Sequence, residues 1–187
     1  MFALRGPAPP ASDAPAARGP PSAKPLDLLQ RTLDQPADFG AVFRVVRETV
    51  RSVLGIERPG IGLCLSNLPP QLGAYWQVTG NFIVMNEGLI DAMRAHARND
   101  TELNSFVYVV LAHEYLHSLG YLDERAAREV TARVARTAFG PEHPATRMAE
   151  GDLWRLYPFL AYARGGSGGR IRVVRGFDHA ATDQYIR

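Results

Sequence analysis

The stretch that most constrains this chain is Phe106–Gly120, FVYVVLAHEYLHSLG. An apolar run of this length ending in His-Glu-x-x-His reads as a helix. On a helix, residues four apart stand one turn above each other on the same face. His113 and His117 can therefore grip one cation between them. Glu114 is rotated by about 100° from His113, so it reaches past the ion toward a bound water. Phe106, Val110, His113 and His117 fall at helical spacing, which predicts that the two imidazoles extend an apolar stripe inward. Two unpaired imidazoles and a carboxylate on a buried face are costly, and a metal removes most of that cost. The bland alternative is an amphipathic core helix with two satisfied histidines. Neutral imidazole suits Zn2+, and two His plus one carboxylate is a catalytic zinc set that leaves a position open for water.

Such a zinc needs a third protein ligand, and three acids are candidates. Asp123 lies six residues after His117, in HExxHxxGxxD spacing, metzincin-like with Asp in place of the last His. Glu129 comes within range if the next helix folds back antiparallel. Glu124 is favoured over both. Asp123 has a competing task as N-cap of the next helix, and a Glu in that helix's first turn can reach back over Gly120. Zinc lowers the pKa of its water and polarises a scissile carbonyl, and Glu114 is placed to act as general base. The oxyanion needs a further donor. Tyr121, His143 and Tyr157 are available, each more often structural than catalytic.

A length of 187 residues fits one domain with enough chain for a core. The net charge of +2 gives no global case for nucleic-acid binding. Both ends are net basic and the body net acidic: Arg5, Arg18 and Lys24 stand against Asp13, and Arg164, Arg170, Arg172, Arg175 and Arg187 against Asp178 and Asp183. Cys64 is the single cysteine, so no intrachain disulfide can form. No apolar run approaches a membrane span, and the Pro-rich start lacks a secretory h-region. A cytoplasmic protein with no membrane or nucleic-acid partner is expected.

Residues 1–25, rich in Pro, Ala, Gly and Ser, read as a flexible leader. Residues 26–163 read as the folded domain. Leu26, Leu29 and Leu33 share a helical face. A longer helix follows, capped by Asp38 and ended by Gly55, with Phe39, Val42, Phe43, Val46, Val50, Val53 and Leu54 on one stripe. Arg44, Arg47 and Arg51 lie off that stripe as a solvated face. Ile61–Leu65, Ala74–Val78 and Phe82–Met85 read as strands, the last two joined by a turn at Thr79-Gly80-Asn81. That predicts a small, roughly three-stranded sheet. Asn86 caps a helix over 87–97, Asn99-Asp100-Thr101 caps the HEYLH helix, and Gly120 stops it in a left-handed C-cap. A further helix runs to about Ala138, and 145–163 is helical with a break at Pro158. Gly165–Gly169 reads as a linker, leaving 164–187 as a detached basic tail.

HEYLHSLGYLDE, preceded by the Tyr75–Met85 hairpin and the 87–97 helix, resembles the minimal gluzincins, small soluble zinc metallopeptidases with an HExxH zincin signature. The resemblance covers roughly residues 60–135. It implies an α+β fold with a three-stranded sheet over an active-site helix and a separate helix bearing a glutamate ligand. It implies His113 and His117 as zinc ligands, Glu114 as general base, and a peptide or protein as substrate, without deciding between Glu124 and Glu129. Zincins commonly align the peptide on an edge strand, for which Phe82–Met85 or Tyr75–Val78 could serve.

Two other readings compete. Gly62-Leu-Cys-Leu-Ser66 upstream of HExxH resembles the Cys-plus-two-His set of peptide deformylases, but the Gly-x-Gly-x-Ala loop of that family is absent and Cys64 reads better as a small buried residue. The second rival is a non-catalytic, zinc-stabilised binding module, against which Glu114 weighs. The tail residues Asp178, His179 and Asp183 could also reach the cleft and hold the protein latent, in cis or from the neighbouring chain of a homodimer.

Overall fold

A computed structural model describes residues 26–166, 171–175 and 177. The helix starts are set by short polar side chains, each satisfying one orphan backbone donor. Asp38 accepts from the Ala41 N–H at the start of α2 (Phe39–Leu54), which follows α1 (Leu26–Leu33). Asn86 does the same for α3 (Glu87–His96), Asn99 for α4 (Asp100–Ser118) and Asp123 for α5 (Glu124–Phe139). Gly55 closes α2 at φ +70°, where a side chain would strain the backbone. The helical stretch expected over 145–163 breaks into α6 (Pro144–Glu150), α7 (Leu153–Leu156) and a 3₁₀ turn at Pro158–Tyr162.

α4 is the centre of the core. From Asn104 to Ala112 every residue is buried, so this helix is apolar on all sides rather than striped. Tyr115 packs edge-on to Phe43 of α2, and the Tyr108 hydroxyl meets Thr49 at 2.9 Å. Asn104 donates to the carbonyls of Leu33 and Gln35, tying the end of α1 to α4. The expected inward stripe therefore needs correction at its end. His113 and His117 are half-buried, because they stand on a face of α4 that opens to a cleft beside His113, while Tyr115 and Leu116 between them stay fully buried.

The sheet holds β1 (Gly62–Ser66), β2 (Ala74–Trp76), β3 (Phe82–Asn86) and β4 (Arg172–Val174), in the order β2-β3-β1-β4. β1 runs parallel to β3, and the outer strands pair antiparallel. With seven α-helices among the described residues, the fold is α+β. Leu63, Leu65, Ile83 and Met85 join the core that contains α4, and the intervening Cys64 and Val84 form a separate small cluster with Leu68.

Two expectations are overturned here. The sheet has four strands rather than three. The fourth comes from the segment read as a detached tail, which pairs with β1 through Leu63↔Val174 and Leu65↔Arg172 and seats Phe177 on Phe43 with ring centroids 4.2 Å apart. β3 also lies inside the sheet, so Phe82–Met85 has no free edge for a peptide, whereas β2 is an edge strand. The expected leader 1–25, the linker residues 167–170 and the tail residues Asp178, His179 and Asp183 lie outside the described residues. Among the described residues, no helix is long and apolar enough to cross a membrane.

Candidate metal centre

The C-terminal turn of α4 brings the two histidines together and the turn after it brings their partners. The Gly120 N–H bonds the His117 carbonyl and the Tyr121 N–H bonds the Leu116 carbonyl, a Schellman closure with Gly120 at φ +102°. This closure points the Tyr121 carbonyl back at His117, whose Nδ1 lies 2.7 Å away. An Nδ1–H spent on that carbonyl leaves the Nε2 lone pair free, the tautomer a metal ligand needs. The closure also turns the chain into α5. Asp123 is used as its cap, and Glu124 in its first turn reaches back over Gly120.

His113 Nε2 and His117 Nε2 are 3.1 Å apart. Glu124 places Oε2 at 3.2 Å from the first and Oε1 at 3.3 Å from the second. A cation held tetrahedrally by nitrogen or oxygen ligands at 2.0–2.1 Å keeps them about 3.3–3.4 Å apart. Each Glu124 oxygen faces one ring, and one ligand atom from each of the three residues lies within 4.8 Å of the other two, so His113, His117 and Glu124 could hold a metal ion. Burial pushes the His113 pKa down, with His117 and more weakly Arg128 acting the same way and Glu124 opposing them. A neutral imidazole, the ligating form, is favoured. The other two acids are engaged elsewhere: Asp123 accepts from the Ala126 N–H, and Glu129 pairs with Arg125 at 2.8 Å.

Glu114 lines the same cleft but is not one of the three grouped residues. It is buried, and its Oε2 accepts from the Trp76 N–H of β2 at 2.7 Å. Burial pushes its pKa up to about 7, against the pull of His117 and the Trp76 N–H. The register explains the contact. Gly73 and Gln77 bond Asn86 and Phe82 of β3, so the alternate residues Ala74 and Trp76 direct their backbone groups away from the sheet, toward α4. Arg58 steadies this corner by donating to the carbonyls of Ser118 and Gly80 while its guanidinium lies 5.3 Å from the Trp76 ring centre.

A cleft of about 500 Å3 opens beside this group, between residues 71–74 on one side and the α6–α7 connection on the other. Val109, Val110 and Met148 contribute apolar surface, and His113, Glu114, Glu124, Arg128 and Asp152 contribute charge or polarity. None of the expected oxyanion donors is among its lining residues. Tyr121 takes part through its carbonyl, Tyr157 donates to Glu102 at 2.9 Å, and His143 caps α6. Cys64 sits in the small apolar cluster behind the sheet and outside the ligand group, which removes the basis for a Cys-plus-two-His set. Sequence reasoning missed Trp76, which acts through a backbone N–H that no side-chain pattern reports. It also missed Arg128, whose signal was its spacing of four from Glu124. A scan of protein-family models finds no matching family, and searches of curated proteins and of solved structures find no match for this chain.

Proposed function

We propose that this chain is a zinc-dependent metallopeptidase of the minimal gluzincin kind, with His113, His117 and Glu124 as ligands and Glu114 as general base. The observation that carries this reading is the His113, His117 and Glu124 group beside a cleft walled in part by residues 71–74, which lead into the edge strand β2. Two imidazoles and one carboxylate suit Zn2+ and leave it a fourth position. When bound, zinc would supply Lewis acidity toward a water and a substrate carbonyl.

The remaining work falls to the chain's own groups. Ala74 presents outward backbone groups on which an extended peptide can align by β-augmentation, and Trp76 adds its own if its N–H leaves Glu114. Glu114, one residue along from His113, takes the proton of the attacking water and returns it to the leaving amine. Burial raises its pKa to about 7, and a bound cation would pull it back down toward the charged form that accepts a proton. The Trp76 N–H that now occupies Glu114 belongs to the same edge, so a bound peptide and the base are held by one strand.

The test is metal analysis of the purified full chain, followed by mass-spectrometric detection of products from a mixed peptide library with the wild type and Glu114→Gln. About one zinc per chain, with cleavage abolished by the substitution, is the expected result. Stoichiometric zinc with no cleavage of any peptide would favour the zinc-stabilised binding module. Cleavage of N-formyl-methionyl peptides alone would favour the deformylase-like hydrolase. Peptidase activity that rises when residues 178–187 are removed would make the terminal segment a latency device.

A further inference from the structure

We propose that Arg128 is a specificity-determining residue of the cleft, an anion receptor that takes a carboxylate of the substrate beside the scissile bond. The inference rests on the peptidase reading above and names a substrate class for it.

α5 puts Arg128 four residues after Glu124, on the same face one turn along. A Glu followed by a cation at this spacing is the favourable orientation for an ion pair on a helix, and the neighbouring Arg125 does pair with Glu129. Glu124 does not pair with Arg128, because both of its oxygens are drawn to the two imidazoles at 3.2 and 3.3 Å. Among the described residues, the Arg128 side chain makes no hydrogen bond or ion pair, and Arg128 is the only lysine or arginine lining the cleft. Asp152, which also lines the cleft, forms no ion pair with it, and its carboxylate accepts from the Trp154 N–H at 2.9 Å.

Forming the metal ligand set thus strips one arginine of its natural partner and leaves it facing the cleft. Val109, Val110 and Met148 provide apolar surface in the same cleft. A planar guanidinium above apolar side chains fits an apolar group with a carboxylate close by, held through two parallel charge-assisted hydrogen bonds. The carboxylate has two possible sources, the free C-terminus of a peptide or the side chain of an internal Asp or Glu.

The probes are N-acetyl-phenylalanine, its neutral amide, and the α-amide of N-acetyl-glutamate. Each is titrated by NMR into the purified full chain as wild type, Arg128→Lys and Arg128→Gln, with zinc content measured on every sample. The wild type should bind one of the two acids at least tenfold more tightly than the neutral amide. Arg128→Gln should erase that preference while leaving binding of the neutral amide and the zinc content unchanged, and Arg128→Lys should keep part of it. Preference for N-acetyl-phenylalanine assigns the receptor to a chain terminus, and preference for the glutamate derivative assigns it to an acidic side chain. Equal binding of acids and amide by the wild type, or a preference that survives in Arg128→Gln, overturns the inference. A protein that holds zinc and cleaves peptides without an Arg128-dependent preference loses only this inference. One that shows the preference yet cleaves nothing keeps the receptor and loses the peptidase reading.

Discussion

α4 buries two glutamates, one near each end, and the protein treats them in opposite ways. Glu102 accepts from the Arg98 backbone N–H at 2.8 Å, from two nitrogens of the Arg98 guanidinium and from the Tyr157 hydroxyl. The Arg98 guanidinium beside it holds its pKa down at about 2. Glu114 has one neutral donor, the Trp76 N–H, and burial pushes its pKa up to about 7. Residue type, helix and solvent exposure are alike, but Glu114 lies deeper in the protein and has fewer donors, and both differences act in the same direction. A carboxylate saturated with donors is locked in its charged form and serves as a fastener. One that is buried with few donors sits close to gaining a proton, which is what a general base requires.

The largest effect that could break this contrast is on chemistry. Glu114→Gln keeps the shape and can still accept from Trp76, so the fold and zinc content should survive. Activity should fall by about a thousandfold, within the 10²–10⁴ range of general-base catalysis. Steady-state kcat/KM and a melting curve on the same sample check both halves, and a variant with a tenth of wild-type activity would contradict the assigned role. Glu102→Gln should do the reverse. It strips charge-assisted hydrogen bonds and should cost about 2–3 kcal/mol of stability, read by urea unfolding, with activity per folded molecule unchanged.

Acid should expose the same fastener. The folded pKa of Glu102 lies below its unfolded value of about 4.5, so its contribution is fully present above that pH and is lost as pH falls toward 2. Because Arg98 is largely solvated, screening limits the loss to about 2 kcal/mol. Stability measured at pH 5 and pH 3 should drop in the wild type and less in Glu102→Gln. The smallest effect expected is at Gly120. Alanine there meets φ +102° and should cost about 1 kcal/mol. By shifting the Tyr121 carbonyl off His117 Nδ1, it should weaken zinc binding by about tenfold in a chelator competition. Glu102 lies at the opposite end of α4, so the same competition on Glu102→Gln should show no change.

What the sequence discloses follows from how local each feature is. Asp38, Asn86, Asn99 and Asp123 cap helices as their positions suggest, because a cap depends on three or four adjacent residues. That Asp123 caps α5 while Glu124 turns toward the two histidines was legible for the same reason. The three strands over 61–86 were visible as apolar runs. β4 was not, since it is three residues long with Arg172 and Val173 exposed, and it becomes a strand only by pairing with β1 about 110 residues earlier in the chain. The rim position of His113 and His117 was equally hidden. Helical spacing says which residues share a face of α4, and only the packing of its neighbours decides which face stays open, since Tyr115 and Leu116 remain fully buried between the two histidines. The Trp76–Glu114 contact depends on strand register, which places a backbone N–H where no residue pattern announces it.

The most direct measurement is anomalous scattering at the zinc edge from crystals of the full chain. The account predicts one peak per chain, about 2.0–2.1 Å from His113 Nε2, His117 Nε2 and a Glu124 oxygen, with Glu114 outside the ligand sphere. No peak at this position, or a peak ligated by Cys64 or Glu114, would contradict it.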